Sequence, residues 1–188
     1  EYPDVQTESV LVDAMSAKFV LQPEDLSVVV ASNLFADILS DLGSALAGSL
    51  GLAASANLNP ERRFPSMFEP VHGSAPDIAA RGISNPVGAI LSAALMLDHL
   101  GVPAAARRLE AAVSAVTAAG IRTRDVGGSA GTEEVASAVI EELGRLLQEV
   151  DMPAPLGNRI DTFANAHRLK DGLPKLFHRH AFSYPRKK

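Results

Sequence analysis

"SVVVASNLFADILSDLGSALAGSLG", residues 27–51, decides the fold class. Its opening run, Ser27 to Ser32, is rich in β-branched residues, the pattern of a buried strand. From Asn33 the period changes. Stepped around a helix, Leu34, Phe35, Ile38, Leu39, Leu42 and Leu46 form one apolar stripe, so residues 33–50 read as a helix. A strand feeding such a helix is the unit from which α/β folds are built.

The same alternation extends outward. "ESVLVDA" (8–14) reads as a short strand, and "AMSAKFVLQPEDL" (14–26) as a helix that ends before Pro23. On the other side, "GLAASANLNPERRFPS" (51–66) reads as a loop, with Gly, Asn and Pro as breakers. "MFEPVHG" (67–73) is a short strand or extended segment. "SAPDIAARG" (74–82) carries the marks of a helix start at Ser74, with Pro76 in the first turn, Asp77 three residues on and Gly82 as the stop. Three helices follow: 85–101, strongly apolar and ended by Gly101; 103–120, amphipathic and ended by Gly120; and 132–148, with Thr132 as its cap. "TRDVGGSAG" (123–131) is a turn. There are no internal repeats.

A composition of 47% hydrophobic and 21% charged residues in a 188-residue chain can build a core. Nothing approaches a membrane-spanning run of about 18 apolar residues, so no membrane partner is expected. The absence of cysteine excludes disulfides, thiolate metal sites and a cysteine nucleophile, and fits a cytoplasmic protein. Net charge is −5, but residues 151–188 carry +5 and the first 150 carry −10. An acidic body makes nucleic acid an unlikely main partner. After Val150 a linker, "DMPAPLGN", leads into a basic segment with three histidines and at most one short helix near 159–170. "EYPDVQTESV", the first ten residues, has no Met and reads as the middle of a longer protein.

Asp37 and Asp41 lie one helical turn apart, along the edge of the apolar stripe. Like charges at this spacing repel by roughly 0.2–0.5 kcal/mol on an exposed helix. No Lys or Arg lies between positions 19 and 61 to offset them. Two readings fit: the acids solvate a helix edge, or they share a cation such as Mg2+ or Mn2+, which carboxylates suit. Asp13, at the end of the first expected strand, is a third candidate ligand or a helix cap.

In "EPVHGSAPDIAARG" (69–82), His72-Gly73-Ser74 runs from an extended segment into the expected helix start. Backbone N–H groups there suit a cofactor phosphate, and Asp77 could accept hydrogen bonds from ribose hydroxyls. A capped helix beside a structural histidine would leave the same marks. Neither common glycine-rich nucleotide fingerprint is present.

Taken together, "VDAMSAKFV", "SNLFADILSDLGSALAGSLGLAASANL", "FEPVHGSAPDIAARGISNPVGAILSAALML" and "TRDVGG" followed by "T.EV..AV" closely resemble the β-decarboxylating dehydrogenases, the isocitrate/isopropylmalate dehydrogenase family. They occur in family order over nearly all of residues 1–148. "NPERRFPSMFEPVHGSAPDI" is most similar to the tartrate/D-malate branch. The resemblance implies the C-terminal portion of that fold: α/β, helix-rich, with an incomplete sheet. Residues 1–48 would belong to the metal and dimerisation domain, 49–150 to the cofactor domain, and 151–188 to a tail of unknown structure.

The resemblance also implies roles. Asp13, Asp37 and Asp41 match the divalent-metal carboxylates, with the acid at the Asp13 position coming from the partner subunit of a homodimer. Glu69, His72, Gly73, Ser74, Ala75, Asp77, Ile78 and Asn85 match the dinucleotide site, and Asp77-Ile78 resembles the NAD-using pattern. The implied chemistry is NAD-dependent oxidation of a small 2-hydroxy dicarboxylic acid, tartrate or D-malate, followed by decarboxylation with the metal as Lewis acid. The family's substrate arginines, catalytic lysine and tyrosine belong to a first half that has no match here, so no catalytic residue is expected in this chain and the chain alone is expected to be inactive. A 3-isopropylmalate dehydrogenase piece, and a non-catalytic remnant or interaction module, are the alternatives.

Overall fold

The buried core of the described residues gathers in the second half of the chain. A computed structural model describes residues 3–148; the basic segment after Val150 and its expected short helix lie outside them. The elements are α1 (Val12–Leu21), α2 (Asn33–Leu46), β1 (Ala54–Asn57), β2 (Met67–Pro70), α3 (Val87–His99), α4 (Pro103–Ala118) and α5 (Thr132–Gln148). Single 3-10 turns lie at Pro23–Asp25, Leu50–Leu52, Pro76–Ile78 and Arg124–Val126.

α4 sits between α3 and α5, and the β1–β2 ribbon packs on α3. The core runs along this layer: Val87, Ala112, Val113, Val116, Ala130, Val135 and Val139 are buried together, flanked by Leu52, Ile90, Leu91, Leu109, Ile121 and Leu143. Each valine removed from water there contributes roughly 1.5–3 kcal/mol before entropy is counted. The small residues set the spacing. A Cβ at Gly88 would come within 3.0 Å of the Gly51 carbonyl and 3.1 Å of that of Ala53, so glycine lets α3 lie directly on the chain entering β1. Gly101 (φ 82°) and Gly120 (φ 88°) end α3 and α4 in the left-handed conformation that glycine adopts without strain.

The three C-terminal helices agree with the expected ones to within two residues at each end. The N-terminal strands do not appear. The segment expected as strand 8–14 turns helical at Val12, which puts Asp13 in the first turn of α1 rather than at a strand end. Residues 27–32 pair with no strand among the described residues, and Val28 and Val30 are 54% and 81% exposed. A β-branched run needs a neighbouring strand to take its N–H and C=O groups, and none lies beside it. The expected 51–66 loop contains β1, which pairs antiparallel with β2 in the register Ala54↔Pro70 to Asn57↔Met67. Short, small-residue strands such as "ASAN" carry too little alternation to be seen locally. The helix expected at Ser74 is a single 3-10 turn, Pro76–Ile78: left-handed Ala75 (φ 41°) keeps it from starting earlier, and Ala79 (ψ 139°) and left-handed Ala80 (φ 60°) end it.

Candidate functional site

α2 carries Asp37 and Asp41, both exposed and one turn apart. Its apolar stripe is turned outward: Leu34, Phe35, Ile38 and Leu46 are exposed, and only Leu39 of the stripe is buried. What α2 packs inward is its small face, with Ala36 and Ser44 buried. At Gly43 an added Cβ would lie 3.3 Å from the Phe19 ring of α1, so α1 and α2 meet closely there. Asp13 is exposed on α1. Among the described residues no three His, Asp or Glu side chains gather into a metal-holding group. Asp37 and Asp41 are oxygen donors of the kind a hard divalent cation takes. Two carboxylates alone do not fill such a cation's coordination shell.

The dinucleotide candidates divide. Ser74, Ala75 and Ile78 line one cleft of about 430 Å3 together with Ala79, Gly82, Ser84, Thr132 and Glu133. The cleft forms because the chain from Gly73 to Gly82 is bent by left-handed residues at Ala75, Ala80 (φ 60°) and Gly82 (φ 63°). Left-handed alanines cost of order 1–3 kcal/mol each and persist where the surroundings impose them. Here the loop is tied to α5: the Thr132 amide donates to the Gly82 carbonyl at 2.9 Å and its hydroxyl to the Ser84 carbonyl at 2.6 Å. Thr132 thus anchors the loop with its side chain instead of capping its own helix. No Lys or Arg is among the lining residues and Glu133 is, so the lining offers no side-chain cation to an anionic ligand.

Asp77 is exposed in the Pro76–Ile78 turn. Glu69 points out from β2, its carbonyl accepting the Ser55 hydroxyl at 2.9 Å. His72 is half-buried with Nδ1 2.9 Å from the Gly73 carbonyl oxygen. Glu69, His72, Gly73 and Asp77 do not line the cleft. A Cβ at Gly73 would meet nothing, so packing within the chain does not require glycine there.

Asn85 is placed differently. It is buried, and both ends of its amide are engaged: Oδ1 accepts from the Val87 N–H at 3.0 Å, and Nδ2 donates to Asp125 Oδ2 at 2.9 Å. Asp125 also accepts from the hydroxyls of Ser49 and Thr123, each at 2.5 Å. Burial alone would raise the Asp125 pKa; the three side-chain donors overcome it and hold the carboxyl below its usual range. Asn85, Thr123 and Asp125 line a second cleft of about 410 Å3 with Leu52, Val87 and Ile121. Sequence reading passed over Asp125, Ser49 and Thr123. The only local signal was an acid in a glycine turn, which is common in any turn.

The profile of the isocitrate/isopropylmalate dehydrogenase family matches residues 1–141. The chain is 59% identical over 143 residues to the "Probable tartrate dehydrogenase/decarboxylase" of Agrobacterium vitis, covering 76% of this chain and 40% of that protein. It is 52% identical over 143 residues to the decarboxylating D-malate dehydrogenase of Escherichia coli, covering 73% of this chain and 40% of that one. Among solved structures, isocitrate dehydrogenase from Methylococcus capsulatus is similar with a TM-score of 0.71 at 46% identity, over 76% of this chain and 42% of that one. The chain spans about 40% of the length of the curated relatives it matches. Sequence and backbone agree over most of the described residues: the chain belongs to the isocitrate/isopropylmalate dehydrogenase family.

Proposed function

We propose that the chain supplies the metal carboxylates and the dinucleotide loop of an NAD-dependent dehydrogenase that oxidises and decarboxylates tartrate or D-malate. Substrate class rests on the names of relatives 59% and 52% identical to it. The observation that carries the cofactor reading is the cleft that gathers Ser74, Ala75 and Ile78 around small apolar walls and one acid.

In this reading Ala75, Ile78 and Ala79 wall the adenine, and the Ser74 hydroxyl offers a polar handle. Asp77, exposed beside them, accepts hydrogen bonds from the ribose hydroxyls and repels a 2′-phosphate, favouring NAD over NADP. Asp37 and Asp41 hold Mg2+ or Mn2+ jointly with Asp13 of a second copy, so the site is completed in a homodimer. When bound, the cation serves as Lewis acid and the nicotinamide as hydride acceptor. The proton-handling groups and the acid-binding arginines come from outside this chain. Positioning is worth roughly 7–11 kcal/mol of a barrier and an acid–base group about 10²–10⁴-fold in rate, so the chain alone is expected to show no turnover.

The test is calorimetric titration of the chain with NAD and NADP, alone and as Asp77→Ala. NAD should bind more tightly than NADP, and Asp77→Ala should narrow the gap. Equal affinities in the unaltered chain would sink the cofactor reading.

A further inference from the structure

We infer that Asp125 is a positioning residue: its carboxylate locks Asn85, and through it the Gly82–Val87 loop beside the dinucleotide cleft, to the chain leaving the helix that bears Asp37 and Asp41. What the loop binds rests on the function proposed above; how the loop is held does not.

Three segments far apart in sequence meet on this one side chain. Oδ2 takes the Ser49 hydroxyl at 2.5 Å and the Asn85 amide at 2.9 Å, across 76 and 40 residues, and Oδ1 takes the Thr123 hydroxyl at 2.5 Å. Each donor is committed further. Ser49 Oγ accepts from the Gly51 N–H at 2.9 Å, which starts the Leu50–Leu52 turn. Asn85 Oδ1 accepts from the Val87 N–H at the head of α3. Thr123 is 1% exposed. Asp125 is exposed toward the cleft that it lines, but its contact with the Gly51 backbone is close: a Cβ at Gly51 would lie 2.7 Å from Asn85 Cβ and 2.9 Å from Asp125 Oδ2.

The turn that presents Asp125 is itself rigid. Gly127 is left-handed (φ 77°), and a Cβ at Gly128 would overlap the Arg122 carbonyl. The amides of Gly128 and Ala130 donate to the carbonyls of Thr123 and Arg122, both at 2.9 Å. From Asn85 the connection to the cleft is one residue long. Ser84 lines the cleft and its carbonyl accepts the Thr132 hydroxyl; Gly82 lines it too and accepts the Thr132 amide. The loop is therefore clamped by α5 at one end and by Asp125 at the other.

Three donors on one group explain why the residue is an acid. A carboxylate only accepts and has room for all three. An amide at position 125 would turn an N–H toward either the Asn85 amide or the Thr123 hydroxyl. Hydrogen bonds to a charged acceptor are among the stronger ones in proteins.

The experiment uses the full chain and three variants: Asp125→Asn, Asn85→Asp, and the exchanged pair carrying both. Amide hydrogen exchange is read at Gly51 and Val87 against α4, and NAD affinity by calorimetry. Asp125→Asn should speed exchange at Gly51 and Val87 about tenfold and weaken NAD by a similar factor, leaving α4 protection in place. Asn85→Asp should do more, since two carboxylates then face each other. The exchanged pair restores a donor opposite an acceptor and should recover most of both losses. A purely structural role would lower protection in α4 as much as in the loop, with no recovery in the pair. If the unaltered chain binds NAD and Asp125→Asn binds it equally well, the inference is overturned and the cofactor reading stands. If the unaltered chain binds no NAD, the cofactor reading falls, and the lock is judged on exchange alone: unchanged rates at Gly51 and Val87 in Asp125→Asn overturn it.

Discussion

The α1–α2 pair and the α3–α5 layer were built from the same kind of residues and used them in opposite ways. Among the described residues seventeen large hydrophobics are exposed, eleven of them at or before Leu50, and α1 buries no residue at all. In α3–α5 the valines and alanines of facing helices close into one cluster. α2 and α5 have equally clear apolar stripes in sequence, yet α5 buries Val135 and Val139 while α2 leaves Phe35 and Ile38 in the open. A stripe shows that a helix has a face to cover; the neighbouring elements decide whether anything covers it. Contiguous exposed apolar surface flanked by charge is the mark of an association face. That supports the proposed homodimer, whose second copy would also bring an acid to Asp37 and Asp41.

The comparison breaks most visibly with a charge placed on each side of it. Val116→Asp in α4 puts an unpaired carboxylate at a position 5% exposed, and should cost more than about 3 kcal/mol in urea unfolding. Survival of the cooperative transition would mean that the α3–α5 layer is not the stabilising core. Next in size, Asp37→Asn and Asp41→Asn should each weaken Mn2+ binding at least about tenfold, roughly 1.4 kcal/mol, measured in an enzyme complemented with the family's first half. Unchanged affinity in both would leave the pair as a solvated helix edge.

Ile38→Asp makes the converse point. At 51% exposure it should alter the stability of the isolated chain by no more than about 0.5 kcal/mol. It should nonetheless reduce self-association in sedimentation; an unaltered mass would argue against α2 as the interface. The smallest effect concerns His99, whose ring lies 5.5 Å from that of Phe68. Burial, and secondarily Arg62, lower its pKa from 6.5. A depressed histidine is neutral in the fold, so its contribution is present above about pH 6.5 and lost as pH falls below it. His99→Gln should flatten the melting-temperature profile between pH 7 and pH 5, and an identical slope in the variant would remove the histidine from the account.

Much of the architecture was legible because it is local. The helices at 85–101 and 103–120 announce themselves by apolar content and by glycine stops, and Gly101 and Gly120 are left-handed as such stops are; that at 132–148 announces itself by its start at Thr132. The strands were misjudged for a non-local reason. "SVVVAS" has the composition of a strand but no partner among the described residues, and "ASAN" has little strand character but pairs with "MFEP". Pairing is a property of two segments, and a single segment cannot report it.

The sites show the same division. Sequence alone determined that Asp37 and Asp41 share one side of a helix, because a four-residue spacing guarantees it, and the stretches around Asp37–Asp41, Glu69–Asn85 and Thr123–Gly128, taken together, resembled the family that the profile match shows. Only the tertiary structure decided that Asp13 opens a helix, that the Ser74 segment bends through left-handed alanines instead of starting one, and that Asn85 is spent inside the protein. Asp125 lies 76 residues from Ser49 and 40 from Asn85. Those two hydrogen bonds exist because folding brings both segments within 3 Å of one carboxylate, a distance that no spacing along the chain encodes.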